Sequence, residues 1–257
     1  MKKYKILVAI PAFNCEKQIS RVLNGFDKEL LERIDKVIVI DNISSDKTVE
    51  VAKKTIAKID GKKFEIWQNK KNYNLGGTHK VAFLAGEQLG MDYVAILHGD
   101  DQAKTTELKL LIDVAENNSG LGAVLGCRFM RGSKLSGYSW QRIWGNRVIN
   151  IAYTLVALRP SKDLGSGLNL FKVSSLLDHK YLNFGDTITF NIDLLLYFFS
   201  KKTLLKFVPI TWREEDQVSN ARNFTVGSTA LKKLFSWRIG TLRYSEKNLH
   251  DYQSGKV

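Results

Sequence analysis

Cysteine and proline are scarce in this chain of 257 residues, with two of the first and three of the second. Cys15 and Cys127 lie far apart, without the paired spacing of a metal-binding thiolate site and without the numbers for a disulfide framework. A reduced, cytoplasmic setting is therefore expected. No window holds the roughly 18 successive apolar residues of a spanning helix, and the strongest, Leu194 to Phe199, has the length of a buried helix. The apolar run after the basic start, Ile6 to Ile10, is closed by Pro11 and is too short for a secretory leader. Glycine-rich phosphate loops are missing too: neither G-x-G-x-x-G after the first apolar run nor G-x-x-x-x-G-K-[ST] occurs, which removes the support for dinucleotide oxidoreductases and P-loop NTPases. Acid is in short supply, with 26 Asp and Glu against 39 Lys and Arg and a formal charge of +13. That imbalance favours a polyanionic partner, whether nucleic acid, an anionic membrane face or a phosphorylated substrate.

What is present is ordinary globular composition, 44% apolar and 25% charged, enough to bury a sizeable core. The first hundred residues alternate strand and helix signals. KILVAI (5–10), VIVI (37–40), the run 64–67 and YVAIL (93–97) read as buried strands, with helices over 16–26, from Ser45 or Asp46 through Ala52, and over 80–89. That order predicts a parallel sheet covered on both faces. Further on, helices are expected over 106–116, 142–157 and 192–199, and strands over 123–127, 168–171 and 204–210. The organisation expected is one catalytic domain over 1–217 and a basic helical extension over 218–257. In that extension Lys232, Lys233, Arg238, Arg243 and Lys247 mix with Leu231, Leu234, Phe235, Trp237, Ile239 and Leu242, as in a helix docked on its own domain or on a membrane surface.

In such a sheet, ligands bind beyond the carboxyl ends of the strands. Four such ends are polar: Pro11-Ala12-Phe13-Asn14, Asp41 to Asp46, Asn72 to Lys80 (NYNLGGTHK), and His98-Gly99-Asp100-Asp101-Gln102. Asp41 ends the second strand, where it can accept from a ribose hydroxyl or a base N–H, or simply hold the turn into the next helix. His98, Asp100 and Gln102 alternate, so an extended backbone points all three to one face, as a hard divalent cation requires; a solvated turn is the plainer alternative.

Together the four loops resemble the GT-A glycosyltransferases of family 2, whose signatures PAYN, VDDGSxDxT, NxGxGG and Asp-x-Asp follow in this order. Gly126-Cys127-Arg128-Phe129 is similar to the GSR[FY] of the dolichyl- and polyprenyl-phosphate sugar transferases, as are Arg142, Gly145-Asn146-Arg147, Asp163-Leu164-Gly165-Ser166-Gly167 and Val208-Pro209-Ile210. The similarity spans roughly 5–220. It departs at His98, where an Asp is usual, at Asn42, which replaces the second Asp of a pair, at Asn74, which replaces a glycine, and in lacking the C-terminal membrane helices common in that branch.

The resemblance implies an α/β, GT-A (Rossmann-like), mostly parallel sheet with helices on both faces and inverting transfer from a GDP- or UDP-sugar. It places Pro11, Ala12, Asn14, Asp41, Lys80 and Asp100 at the donor, and Asp100, Gln102 and His98 at Mg²⁺ or Mn²⁺. Arg128 and Arg142 fall at the catalytic centre and, with Asp163 and Ser166, at the acceptor. A polyprenyl phosphate is already an anion and needs no general base, only positioning by Arg128 and Arg142. A saccharide hydroxyl needs one, and Asp163, Asp193, Glu214, Glu215 and Asp216 are available, although 214–216 also reads as a solvated acidic loop. The extension would hold the protein peripherally on the inner face of the cell membrane. A non-catalytic nucleotide- or nucleic-acid-binding protein is the rival from another class. Nucleic-acid binding predicts basic residues interleaved with aromatics on a strand face, which these strands lack, and no nucleic-acid partner is expected.

Overall fold

The computed structural model describes residues 3–59, 61–216 and 223–257. Ten strands and eight α-helices are found among them. The strands are β1 (Ile6–Ala12), β2 (Lys36–Asp41), β3 (Phe64–Asn69), β4 (Tyr93–Leu97), β5 (Ala123–Cys127), β6 (Lys134–Ser136), β7 (Leu168–Lys172), β8 (Leu205–Pro209), β9 (Thr211–Arg213) and β10 (Ser254–Lys256). The helices are α1 (Ile19–Asn24), α2 (Lys28–Arg33), α3 (Thr48–Ile56), α4 (Asn74–Gln88), α5 (Leu108–Asn117), α6 (Trp140–Ala157), α7 (Phe190–Ser200) and α8 (Asn223–Arg238).

Eight strands form one sheet in the order β10-β3-β2-β1-β4-β7-β5-β8, while β6 and β9 make a separate parallel ribbon. Strands β3, β2, β1 and β4 are mutually parallel, β5 is parallel to β8, and β7 runs antiparallel between β4 and β5. The mostly parallel α/β sheet expected from the sequence is therefore present. Every residue of β1 is buried because both faces are covered. Ile6, Val8 and Ile10 face α1, α3 and α5, and Leu7 and Ala9 face α4 and α7. A third apolar cluster joins Tyr153 of α6, Leu195 and Phe199 of α7, and Ala230 and Leu234 of α8.

Two features differ from the sequence expectation. Helix α2 was not foreseen; it is capped by Asp27, whose carboxylate accepts from Leu30 N–H at 2.9 Å. Helix α4 begins at Asn74 instead of Lys80. Asn74 takes a left-handed φ of 56°, as an Asn in a glycine position can, and its N–H donates to Asn72 Oδ1 at 2.8 Å. Gly77 fits inside that helix because Tyr73 is packed against it, 2.5 Å from where a Cβ would stand. The boundary expected near Val218 lies outside the described residues. The region beyond it is helical over α8, and β10 returns to pair antiparallel with β3 at that edge of the sheet.

Candidate active site

The carboxyl ends of β1 and β2 meet in a hydrogen-bonded pair of loops. Pro11 and Ala12 are strand residues whose carbonyls accept from Gly99 and Asn42 N–H, each within 2.9 Å. Asn14, at φ 48°, accepts from Ser45 N–H at 2.8 Å, and its own N–H donates to Ser44 Oγ. Asp41 is fully buried and accepts from Gln68 Nε2 at 2.9 Å and from Ser44 N–H. These bonds give Asp41 the turn-holding role left open by the sequence. Ile43 between them is left-handed, at φ 63°, with a side chain 39% exposed. A β-branched residue there is strained, and such strain gathers at binding sites.

At the end of β4, the extended run expected to align His98, Asp100 and Gln102 is broken. Asp101 turns left-handed, at φ 59°, because its buried carboxylate is drawn into ion pairs with Arg21 at 2.6 Å and with Arg213. Gln102 N–H then donates back to Asp100 Oδ1 at 3.2 Å, and its carbonyl accepts from Arg213 N–H. Burial raises the Asp100 carboxyl above the ordinary range, so an adjacent cation would restore its charged form. Burial lowers the His98 imidazole, Asp100 opposes that shift and Arg128 adds to it.

His98 does not stand alone. Its Nε2 lies 3.1 Å from Nε2 of His79, a fully buried side chain on α4 that the sequence reading passed over. Burial holds His79 well below its usual pKa, and Asn191 beside it opposes that shift. The tautomer sets which of the two rings donates. Gly167 makes room for the ring, since a Cβ there would stand 2.6 Å from His98 Nδ1. The only sequence signal for His79 was its place in NYNLGGTHK.

Among the described residues, no group of three or more His, Cys, Asp and Glu side chains is arranged to hold a metal ion by itself. The donor set here, one carboxylate with a neutral imidazole and an amide nearby in the chain, suits a hard cation that takes its other oxygens from a diphosphate.

On the far side of β4, Arg128 follows β5 and meets Asp163, with Nε–Oδ2 2.8 Å and Nη2–Oδ1 2.7 Å, and also donates to Gly165 O. Burial alone would lower the guanidinium, but Asp163 outweighs it and holds Arg128 above its ordinary value. Ser166 sits in the same turn, but its hydroxyl is buried and donates to Leu168 O, so it faces inward. Arg142, in the first turn of α6, lies over the Tyr138 ring and pairs with Glu214. In the stretch 214–216, Glu215 and Asp216 are exposed, as in the solvated reading, while Glu214 holds Arg142 and Asp216 also pairs with Arg21 at 2.8 Å.

Lys80, expected at the donor phosphates, points elsewhere. Its ammonium is fully buried and donates to Leu182 O, Phe184 O, Asp186 Oδ1 and Tyr252 OH, all within 2.9 Å. Those four acceptors tie the segment 182–186 and, through Tyr252, the C-terminal segment to α4, and they take up its donors. The basic tail is divided: Leu234 is buried, Trp237 and Leu242 pack on the third cluster, and Lys233 pairs with Asp193, while Lys232, Phe235, Arg238, Ile239 and Arg243 are exposed.

Comparison with known proteins fits this architecture. The family model described as Glycosyl transferase family 2 matches residues 7–179. The chain belongs to glycosyl transferase family 2. Poly(ribitol-phosphate) beta-N-acetylglucosaminyltransferase TarS of Staphylococcus aureus is 28% identical over 106 residues, 41% of this chain. The match spans 18% of that relative's length. Glucosyl-3-phosphoglycerate synthase from Mycobacterium tuberculosis in complex with UDP superposes with a TM-score of 0.68 at 18% identity, over 99% of this chain and 88% of that one. Its complex with Mn²⁺, UDP-glucose and glycerol 3-phosphate gives 0.68 at 16% identity, over 99% and 87%. These likenesses establish the fold as that of GT-A glycosyltransferases.

Proposed function

We propose that the protein transfers a sugar, with inversion, from a nucleotide-diphosphate sugar (GDP- or UDP-linked) to a polyprenyl phosphate at the inner face of the cell membrane. One observation carries the acceptor. Of the five carboxylates available as a general base, Asp163, Asp193, Glu214 and Asp216 are each ion-paired to a cation. A hydroxyl acceptor needs a base oriented toward its proton, whereas an anionic phosphate oxygen attacks the anomeric carbon without one. Poly(ribitol-phosphate) and phosphoglycerate, in the names of the relative and of the solved structure, carry phosphate, so a phosphate-bearing acceptor is in keeping with them.

In this reading the loops of β1 and β2, with Pro11, Ala12, Asn14 and Asp41, shape the nucleotide side. Asp100, with His98 and Gln102, would hold Mg²⁺ or Mn²⁺, which when bound would neutralise the leaving diphosphate. Arg128 orients the acceptor phosphate through Nη1, its other two nitrogens being fixed by Asp163. Arg142 stands on the acceptor side, in the first turn of α6. The relative that glycosylates poly(ribitol-phosphate) supports a second reading, transfer to a saccharide or polyol of a surface polymer. The test is incubation with a panel of radiolabelled nucleotide sugars and Mn²⁺, with and without membranes. Label in the lipid extract, lost with EDTA, is the expected result. Label that enters only water-soluble polymer replaces the acceptor, and full activity in EDTA removes the metal.

A further inference from the structure

Helix α6 carries six large apolar side chains that the described residues leave mostly exposed. Trp140, Trp144, Val148, Ile151, Leu155 and Leu158, the last at its C-cap, are between 58% and 79% exposed. Their spacing of three or four residues puts them in one row along the helix, about 27 Å long over its 18 residues. The opposite side of the helix is fixed in the protein, through Tyr153 OH to Ala230 O at 2.7 Å and through Ile149 against Gly227 of α8. A row of this kind on an otherwise well-covered domain marks a docking surface.

Charge decides what docks there. From 117 to 162 the chain has no Asp or Glu, and Arg131, Lys134, Arg147 and Lys162 of that stretch are exposed. Helix α8, packed beside α6, belongs to a second acid-free stretch, 217–245, in which Lys232, Arg238 and Arg243 are exposed along with the apolar Phe235 and Ile239. Two copies meeting through these faces would set cation against cation with no acid on either helix to offset it. A bilayer surface with anionic headgroups supplies both an apolar interior for the row and counter-charge for its flanks. The two tryptophans also suit the interface, where an indole ring is half in hydrocarbon and half in water. The helix would lie on the membrane, since no described helix is long and apolar enough to cross one.

We infer that the exposed face of α6, flanked by the basic surface of α8, seats this protein on an anionic lipid bilayer. The inference rests on the lipid-acceptor reading only in what it gives that reading, namely a membrane contact one turn from Arg142. The chain of contacts inward from there is short. Arg142 pairs with Glu214, and the neighbouring Arg213 pairs with Asp101, beside Asp100.

The test uses the full chain and two kinds of vesicle, phosphatidylcholine alone and phosphatidylcholine with phosphatidylglycerol, neither containing polyprenyl phosphate. Wild type should sediment with the anionic vesicles and be released by salt, and the combined variant Trp144→Ser, Ile151→Ser, Leu155→Ser should bind at least about tenfold less. Tryptophan emission of the wild type should shift to the blue and be quenched by brominated lipid, a readout that needs no variant. Transfer to a short, water-soluble prenyl phosphate, measured without vesicles, should survive in the triple variant. If that transfer is absent while vesicle binding stands, the acceptor reading fails alone. The docking inference is overturned if wild type ignores anionic vesicles, if the triple variant binds them as well as wild type, or if wild type proves to be a dimer that the variant splits and that vesicles do not compete with.

Discussion

The two halves of the sheet's carboxyl edge are held in different ways. Around β1, β2 and β3 the loops are fixed by Asn14, Asp41, Asn42 and Asp46 accepting from backbone N–H groups and side-chain amides, and no guanidinium takes part in those bonds. Around β4, β5 and the β6–β9 ribbon the holding groups are ion pairs: Arg21 and Arg213 on Asp101, Arg128 on Asp163, Arg142 on Glu214. The first kind of locking fixes backbone shape without placing a charge. The second places charge and neutralises it in advance. On the proposed reading, an anionic acceptor would meet arginines that already have carboxylate partners, and would bind by adding to those pairs or exchanging with them. Selectivity for phosphate can arise from that competition as well as from the positive charge itself.

The sharpest way to break this contrast is Asp100→Ala, which removes the one carboxylate proposed for the metal. Transfer should fall on the order of a thousandfold. The fold should stay intact, at a cost of about 1 kcal/mol for the bond from Gln102 N–H. A variant with near-wild-type turnover would end the role given to this loop. Next is Asp163→Ala, which leaves Arg128 without its partner where it is only 12% exposed; about 3–5 kcal/mol of stability should be lost in urea unfolding. A much smaller loss would show that solvent reaches the guanidinium. In the other half, Asp41→Ala should cost about 1–3 kcal/mol by stranding Gln68 and Ser44 N–H. A residue that only contacted the donor would leave the melting temperature almost unchanged. Calorimetry with UDP and GDP on the same variant separates the two effects.

The smallest effect is a matter of pH. Burial would raise Glu65, but Lys36, Trp67 and Lys256 hold it down at about 2, below its ordinary 4.5. Its contribution is then complete above pH 4.5 and is lost as pH falls toward 2. Because Lys256 lies on β10, amide exchange at Val257, whose N–H donates to Ile66 O, should quicken over that window, and Glu65→Gln should remove the pH dependence.

How much of this was legible beforehand follows from how local each signal is. Strands β1, β2 and β4 are β-branched runs bounded by turn residues, and they lie within two residues of their expected limits. The β6–β9 ribbon and β10 are three residues each, and a segment such as Ser-Gly-Lys has no strand preference of its own; it is a strand only because β3 presents an open edge. The site divides in the same way. Asp100 and Arg128 stand directly after predictable strands. The surroundings of Lys80 and His79 come from residues 182–191 and 252, which no local pattern connects to the helix that carries them.

Lys80 also bears on how the chain is made. Its ammonium becomes buried as α4 packs on the sheet, yet one of its four acceptors, Tyr252 OH, lies 172 residues further along the chain. On the ribosome, where folding proceeds from the N-terminus, the donor-side half would hold this cation with an incomplete set of acceptors for most of synthesis. Tyr252 arrives together with β10, which pairs with the exposed edge of β3. The same few residues thus satisfy a buried charge and cover a sticky edge, so the nascent chain passes from aggregation-prone to settled in one late step.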